Sequence, residues 1–176
     1  MKILGLIWLN KWGPARYAMN GAFLLLKVSE LSKLTESDRA AFAKEAINQA
    51  NYLLGDSGRS FVVGFGNNPP LRPHHRGASC PAVPEECNWD NFNSPDASPF
   101  TLFGALVGGP GANDEYTDDR KDYIKNEVAT DYNAGFQAAI AAMKCRVVTD
   151  CLSDKVDIPV DDKNDKDDND NAKAGG

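Results

Sequence analysis

The sequence YTDDRKDYIKNEVATDYNA, residues 116–134, places two carboxylates, Asp118 and Glu127, in an aromatic setting ahead of a helix-forming run. Three tyrosines stand around them: Tyr116, Tyr123 and Tyr132. An apolar wall beside a carboxyl group favours its protonated form, which a general acid needs near neutral pH. An acidic, aromatic segment is also typical of solvated surface, so the spacing alone leaves both interpretations open.

Seven positions of this stretch match a family pattern: Tyr116, Asp118, Tyr123, Glu127, Ala129, Asn133 and Ala134. Their spacing resembles the C-terminal signature of glycoside hydrolase family 9, the inverting endoglucanases. A second stretch, SFVVGFGNNPPLRPHHR at residues 60–76, resembles the other signature of that family and lies in the expected order. The resemblance covers residues 5–143 and is nearest to animal-type members. It implies a secreted enzyme that hydrolyses β-1,4-glucan or cello-oligosaccharides internally.

The resemblance also implies roles for five residues. Glu127 is expected to be the general acid, and Asp118 is expected to orient the Glu127 segment or neighbouring cleft residues without being the base. His74 is grouped with these catalytic residues, and with Arg76 it is expected to bind glucosyl units. The planar guanidinium of Arg76 also suits the holding of carboxylates. Tyr132 is expected to line the cleft.

The family fold is an (α/α)6 toroid of six helical hairpins, whereas this sequence predicts about three helices. The expected fold is therefore all-α: a partial toroid with a long functional loop region, occupying residues 1–153. The resemblance implies that the base belongs to an aspartate pair near the start of the family's catalytic domain, and this pair is expected to be absent from this chain. Little or no activity is then expected of the isolated chain, and a non-catalytic carbohydrate-binding remnant is the alternative function.

Helical periodicity and end signals define three predicted helices, at residues 15–34, 35–55 and 129–143. The first is apolar enough to be covered on most sides. Residues 56–115 are rich in Gly and Pro without strong periodicity, and a segment of this length is usually functional. Within it, residues 61–65 could form a short strand.

The net charge and the apolar stretches of the chain indicate which kinds of partner it could bind. A net charge of −6 over 176 residues, without a clustered basic face, argues against nucleic acid and anionic membranes. No stretch approaches the roughly 20 apolar residues of a membrane span. The start, MKILGLIWL, imitates a signal peptide but is short and lacks a small-residue cleavage site, so it is predicted to be mature sequence.

No metal site is predicted. The pair His74 and His75 lacks further ligands at a zinc spacing, and His75 is expected to be a loop histidine bonded to the backbone. No cofactor is expected for the chemistry. The family resemblance allows a structural calcium, but its ligands cannot be placed in this sequence.

The extracellular setting of the family implies a disulfide between Cys80 and Cys87, which would brace the loop that precedes it. Cys145 and Cys151 repeat the spacing, but four cysteines allow three connectivities. Just beyond the first pair, Trp89 and Phe92 could stack on a sugar ring, or the tryptophan could anchor its loop.

Residues 154–176 differ in composition from the rest of the chain, with eight Asp and four Lys. Such a segment is predicted to be a disordered acidic tail. An EF-hand loop beginning at Asp165 would need glycine at Asp170 and glutamate at Gly176. The tail is therefore assigned no site.

Overall fold

The computed structural model describes residues 2–3 and 5–147, and within them the chain is mainly helical. A two-stranded antiparallel hairpin comes first, and six helices follow in chain order: β1 (Lys2–Ile3), β2 (Leu6–Ile7), α1 (Pro14–Val28), α2 (Glu36–Asn51), α3 (Arg76–Ser79), α4 (Trp89–Asn93), α5 (Tyr123–Asn126) and α6 (Thr130–Val147). Three of the helices are long, so the prediction of an all-α fold with about three main helices is confirmed. The predicted tail, residues 154–176, and Cys151 lie outside the described residues.

Helix α1 begins at Pro14, whose missing N–H is no loss in a first helical turn. It ends at Val28, earlier than the predicted residue 34, because the Ser29 hydroxyl donates to the Leu26 carbonyl at 2.6 Å and closes the last turn. One face of α1 is buried against α2 and α6. Only one stripe of α1, through Asn20, Leu24 and Lys27, is exposed, so the prediction of a helix covered on most sides is confirmed.

Helix α2 begins where the sequence predicted. The Thr35 hydroxyl accepts the Asp38 N–H at 3.1 Å and caps the first turn. The helix continues through a π-helical turn, Tyr52–Asp56, in which Gly55 adopts φ 152°. Gln49, fully buried on α2, accepts the Ile7 N–H at 2.6 Å and so attaches the N-terminal hairpin to the core.

The segment between α2 and α5 has few regular elements but supplies much of the core. Phe61, Val62 and Val63 are buried, and Val62 forms a single bridge with Leu106. The short strand predicted at residues 61–65 is thus limited to residues 61–63: the Val63 N–H still donates to the Ala105 carbonyl at 2.9 Å, and Gly64 at φ 71° then turns the chain.

Helix α6 is built from small residues and packs closely on α1. A Cβ added at Gly135 would lie 3.0 Å from the backbone nitrogen of Asn20, so the two helices leave no room for a side chain there. Asn133 on α6 also accepts the Leu106 N–H at 3.0 Å and donates to the Gly104 carbonyl at 2.8 Å. Through Asn133, α6 holds residues 104–106 in a fixed position beside Glu127.

Candidate active site

Glu127 follows the short helix α5 and is held by its neighbours in sequence. Its backbone N–H donates to the Tyr123 carbonyl at 3.2 Å, and the residue itself is half-buried. The preceding Asn126 is fully buried; its amide donates to the Thr117 carbonyl at 2.9 Å and its Oδ1 accepts from the Tyr116 hydroxyl. Residues 116–127 therefore form a loop that is fixed internally.

The Glu127 carboxyl group accepts two hydrogen bonds on one oxygen. The Trp12 indole N–H and the Tyr132 hydroxyl both donate to Oε2, each at 2.8 Å. Within the described residues, Oε1 accepts no hydrogen bond. Because Oε2 is already an acceptor for two donors, a proton on the neutral acid would reside on Oε1.

Tyr132 is buried and remains a donor. Burial, and then the hydrogen bond to Glu127, raises the pKa of its hydroxyl above the usual value. The Arg16 guanidinium covers the Tyr132 ring at 4.8 Å and pairs with Asp131 at 2.7 Å. Tyr132 therefore presents a protonated hydroxyl to Glu127 from a fixed ring.

Asp118 does not share these contacts. Its two oxygens accept the backbone N–H groups of Leu71 at 2.8 Å and Arg72 at 3.0 Å, and the Arg72 side chain approaches at 3.9 Å. Asp118 therefore fastens the segment that leads to His74.

His74 lies beside Glu127 in the backbone. Its N–H donates to the Asn126 carbonyl at 2.7 Å, and it forms a parallel bridge with Glu127. Its Nδ1 is 2.6 Å from the Arg120 carbonyl oxygen, which can only accept, so Nδ1 carries the proton. In the neutral ring, Nε2 is then an acceptor.

A cavity of about 580 Å³ adjoins His74. Its lining includes four cationic or imidazole side chains, three small polar side chains, the disulfide and the α4 aromatics: His74, His75, Arg76, Ser79, Cys80, Cys87, Asn88, Trp89, Asn91, Phe92 and Arg120. Glu127 and Tyr132 do not line it. The structure thus brings His74 and Arg76 together in one cavity and Glu127 and Tyr132 together in an adjacent contact.

Two local predictions around this cavity are confirmed. Cys80 and Cys87 form a disulfide with their Cα atoms 5.1 Å apart. His75 accepts the Ala78 N–H at 3.1 Å and caps α3, as expected of a loop histidine bonded to the backbone. Arg76 is exposed at the first position of that helix.

Sequence reasoning missed Arg120 and the contact of Trp12. Arg120 is 2% exposed, and its guanidinium donates to the carbonyls of Asn91 and Asp96, each at 2.6 Å. The sequence signal that could have pointed to Arg120 is its place as the one arginine in the acidic run 114–122. Trp12 lies in a stretch of sequence that resembles the family. No short-range sequence pattern connects it with Glu127, however, which is 115 positions further along the chain.

Among residues 2–3 and 5–147, no group of three or more His, Cys, Asp or Glu side chains is arranged to hold a metal ion. No helix in that part of the chain is both long and apolar enough to cross a membrane.

Comparison with known proteins identifies the family to which this arrangement of helices belongs. The model of glycosyl hydrolase family 9 matches residues 2–140. Endoglucanase A of Bacillus pumilus is 48% identical over 143 residues, covering 79% of this chain and 20% of that protein. The solved structure of an endoglucanase from the termite Nasutitermes takasagoensis is 51% identical, with a TM-score of 0.78, over 84% of this chain and 33% of that chain.

A further solved structure, endoglucanase CelQ from Clostridium thermocellum complexed with cellotetraose, is 41% identical with a TM-score of 0.71, over 87% of this chain and 24% of that one. The fold is thus that of a helical glycosidase, and its helices form part of an (α/α)6 toroid, as predicted. The chain belongs to glycosyl hydrolase family 9. It spans about a fifth to a third of the length of the relatives named here.

Gly13→Ala is expected to disturb the site through Tyr132. Gly13 has φ 64°, and an added Cβ would lie 2.8 Å from both Cζ and Oη of Tyr132. We expect a loss of about 2–4 kcal/mol in the free energy of unfolding from strain plus overlap. Chemical denaturation measures it. Gly104→Ala is the matched control, because Gly104 has φ 81° and nothing within 4 Å of its Cβ position; equal losses in both variants would mean that Tyr132 is not displaced.

Proposed function

We propose that this chain supplies the acid half of an inverting endo-β-1,4-glucanase site, with Glu127 as the general acid. The observation that carries the proposal is the Glu127 carboxyl group itself. Trp12 and Tyr132 fix its Oε2, while Oε1 is left to hold a proton. An acid catalyst needs such a group in one orientation at the glycosidic oxygen.

In the proposed reaction the Oε1 proton moves to the leaving glycosidic oxygen as the bond between that oxygen and the anomeric carbon breaks. Water attacks the opposite face and gives its proton to a carboxylate base, about 6.5–9.5 Å from the acid in inverting enzymes. We assign no residue of the described chain as that base; we place it in another part of the family domain. The Trp12 and Tyr132 donors stabilise the Glu127 carboxylate that remains.

The remaining residues are proposed to bind and position substrate. His74 and Arg76 share a cavity wall and would hydrogen-bond glucosyl hydroxyls, with Nε2 of His74 as an acceptor. Asp118 would act by holding the segment before His74. The cellotetraose in the similar CelQ structure supports β-1,4-linked gluco-oligosaccharide as the ligand class. The disulfide agrees with secretion into an oxidising environment.

A second candidate function is carbohydrate binding without hydrolysis. It is favoured by the cavity that holds His74 and Arg76, because a binding site there needs neither Glu127 nor a base.

The order in which product anomers appear tests the proposal. Proton NMR of this chain joined to the part of a family 9 domain that supplies the base, and incubated with cellohexaose, is expected to show the α-anomer first, because inversion of a β-linkage yields it. Early β-anomer would contradict the mechanism. Saturable binding without any product would replace the proposed function with the second candidate, and absence of binding would exclude both for this chain.

A further inference from the structure

Helix α5 is a single turn, and Glu127 follows directly after its last residue. A helix of this length is not stable by itself, because forming it fixes several residues for very few hydrogen bonds. Each of its last three carbonyl groups accepts a backbone N–H from a different segment of the chain: Ile124 from Gly13 at 3.3 Å, Lys125 from Gly109 at 3.0 Å and Asn126 from His74 at 2.7 Å. Three segments therefore fix the backbone just before Glu127.

The Asn126 side chain holds the same turn from within. The residue is fully buried, and its Nδ2 donates to the carbonyls of Thr117 at 2.9 Å and Asp122 at 3.2 Å. Because both carbonyls can only accept, the amide has one possible orientation, in which Oδ1 accepts from the Tyr116 hydroxyl. Within the described residues, Oδ1 has no other donor. The side chain thus fastens α5 to residues 116–122.

Tyr116 is itself held in place and remains a donor. Its ring packs edge-on against Phe61, with the centroids 5.1 Å apart, and the Arg59 guanidinium lies over it at 4.3 Å. Burial raises the pKa of the Tyr116 hydroxyl, so the hydroxyl keeps its proton. Tyr116 therefore presents a fixed donor with which the Asn126 amide must align.

The position of the Glu127 carboxyl group depends on this alignment. Its Oε2 accepts from Trp12, before α1, and from Tyr132, on α6, each at 2.8 Å. Hydrogen bonds weaken steeply when they bend, so Oε2 meets both donors only from one position of the Glu127 backbone. A shift of the adjacent Asn126 would carry Oε2 away from both.

We propose that Asn126 and Tyr116 are positioning residues for Glu127. The hydrogen bond between them holds α5 in the orientation that places Oε2 of the acid between its two donors. The inference rests on the proposed function, since that function gives the orientation its catalytic purpose. Both residues act through the backbone of Glu127.

The Trp12 indole N–H reports on this orientation in nitrogen–proton NMR spectra of the isotope-labelled chain, because it donates to Glu127. Tyr116→Phe keeps the ring and removes the hydroxyl. It is expected to move the Trp12 indole proton upfield, since the hydrogen bond to Glu127 lengthens. Asn126→Asp, which keeps Oδ1 and loses both N–H donors, is expected to move that proton in the same direction.

Tyr52→Phe is the matched control. Tyr52 is buried against the same Phe61 ring, with the centroids 6.1 Å apart, and its hydroxyl also donates to one side chain, that of Asp114, at 2.7 Å. That hydrogen bond leads to Asp114 and not to α5. The Trp12 resonance is therefore expected to stay in place in Tyr52→Phe.

Hydrolysis rates separate a positioning role from a merely structural one. In this chain joined to the part of a family 9 domain that supplies the base, Tyr116→Phe is expected to lower kcat for cellohexaose about 10- to 100-fold, with KM nearly unchanged, because the acid is misplaced. It is expected to lose far less activity on an aryl cellobioside whose leaving group needs no proton, since only acid catalysis depends on the orientation of Glu127.

Three results would overturn the positioning role: an unmoved Trp12 resonance in Tyr116→Phe, the same shift in Tyr52→Phe, or equal losses of activity on the two substrates. Each of them leaves Glu127 as the acid. The proposed function is decided separately, by the anomer that is released first and by the effect of Glu127→Gln.

Discussion

In this chain joined to the part of a family 9 domain that supplies the base, Glu127→Gln is expected to lower the rate of cellohexaose hydrolysis by about 10²- to 10⁴-fold while the affinity for the substrate changes little. The glutamine side chain has the same shape and can still accept from Trp12 and Tyr132, but it cannot give up a proton. Initial rates and binding calorimetry measure the two quantities separately.

An activated substrate makes this prediction specific to acid catalysis. An aryl cellobioside whose leaving group departs as a stable anion needs no proton, so Glu127→Gln is expected to lose far less activity on it. Glu115→Gln is the matched control, because Glu115 lies on the same segment with its side chain 55% exposed, and within the described residues that side chain is bonded only to the Asn113 N–H at 3.0 Å and to Lys125 in a surface ion pair. Equal losses on both substrates would show that Glu127 is not the acid.

Arg120→Met is expected to lower the free energy of unfolding by about 2–4 kcal/mol. The substitution keeps the apolar stem but leaves the carbonyls of Asn91 and Asp96 without their donor. Removal of a guanidinium whose pKa is lowered, first by burial, offsets part of this loss. Denaturant unfolding of both forms measures the difference.

Lys121→Met is the control for Arg120→Met. The Lys121 side chain is exposed, and the hydrogen bond from this residue to Asp119 is donated by the backbone N–H, which the substitution keeps. It is expected to stay within about 0.5 kcal/mol of the original chain. Arg120→Lys, with one compact donor group in place of a fork, is expected to fall between the two. If Arg120→Met proves as stable as Lys121→Met, the guanidinium does not hold the α4 loop.

The local features of this chain followed from its sequence. The Thr35 cap, the end of the second helix near Gly55 and the disulfide between Cys80 and Cys87 depend on residues a few positions apart. Tyr132 reaches Glu127 across only five positions. The family could also be predicted from the sequence, because each of the two signatures that resemble family 9 is a contiguous stretch of the chain.

The partners of the site residues depended on the tertiary structure. Trp12 meets Glu127 across 115 positions, and Asp118 meets Leu71 across 47. The strand predicted at residues 61–65 ends at Val63, because its pairing depends on the path of the distant segment 104–107 and Gly64 turns the chain away from it.

The sequence by itself thus determined the main helices, the family and the identity of the acidic and aromatic residues, because helical periodicity, caps and signatures are short-range patterns. Only the tertiary structure decided that Trp12 fixes the Glu127 carboxyl group, that Arg120 fastens the α4 loop, and that backbone N–H groups of three segments bind the last carbonyls of α5. Those contacts join residues as far as 115 positions apart in the chain, and no short-range pattern encodes them.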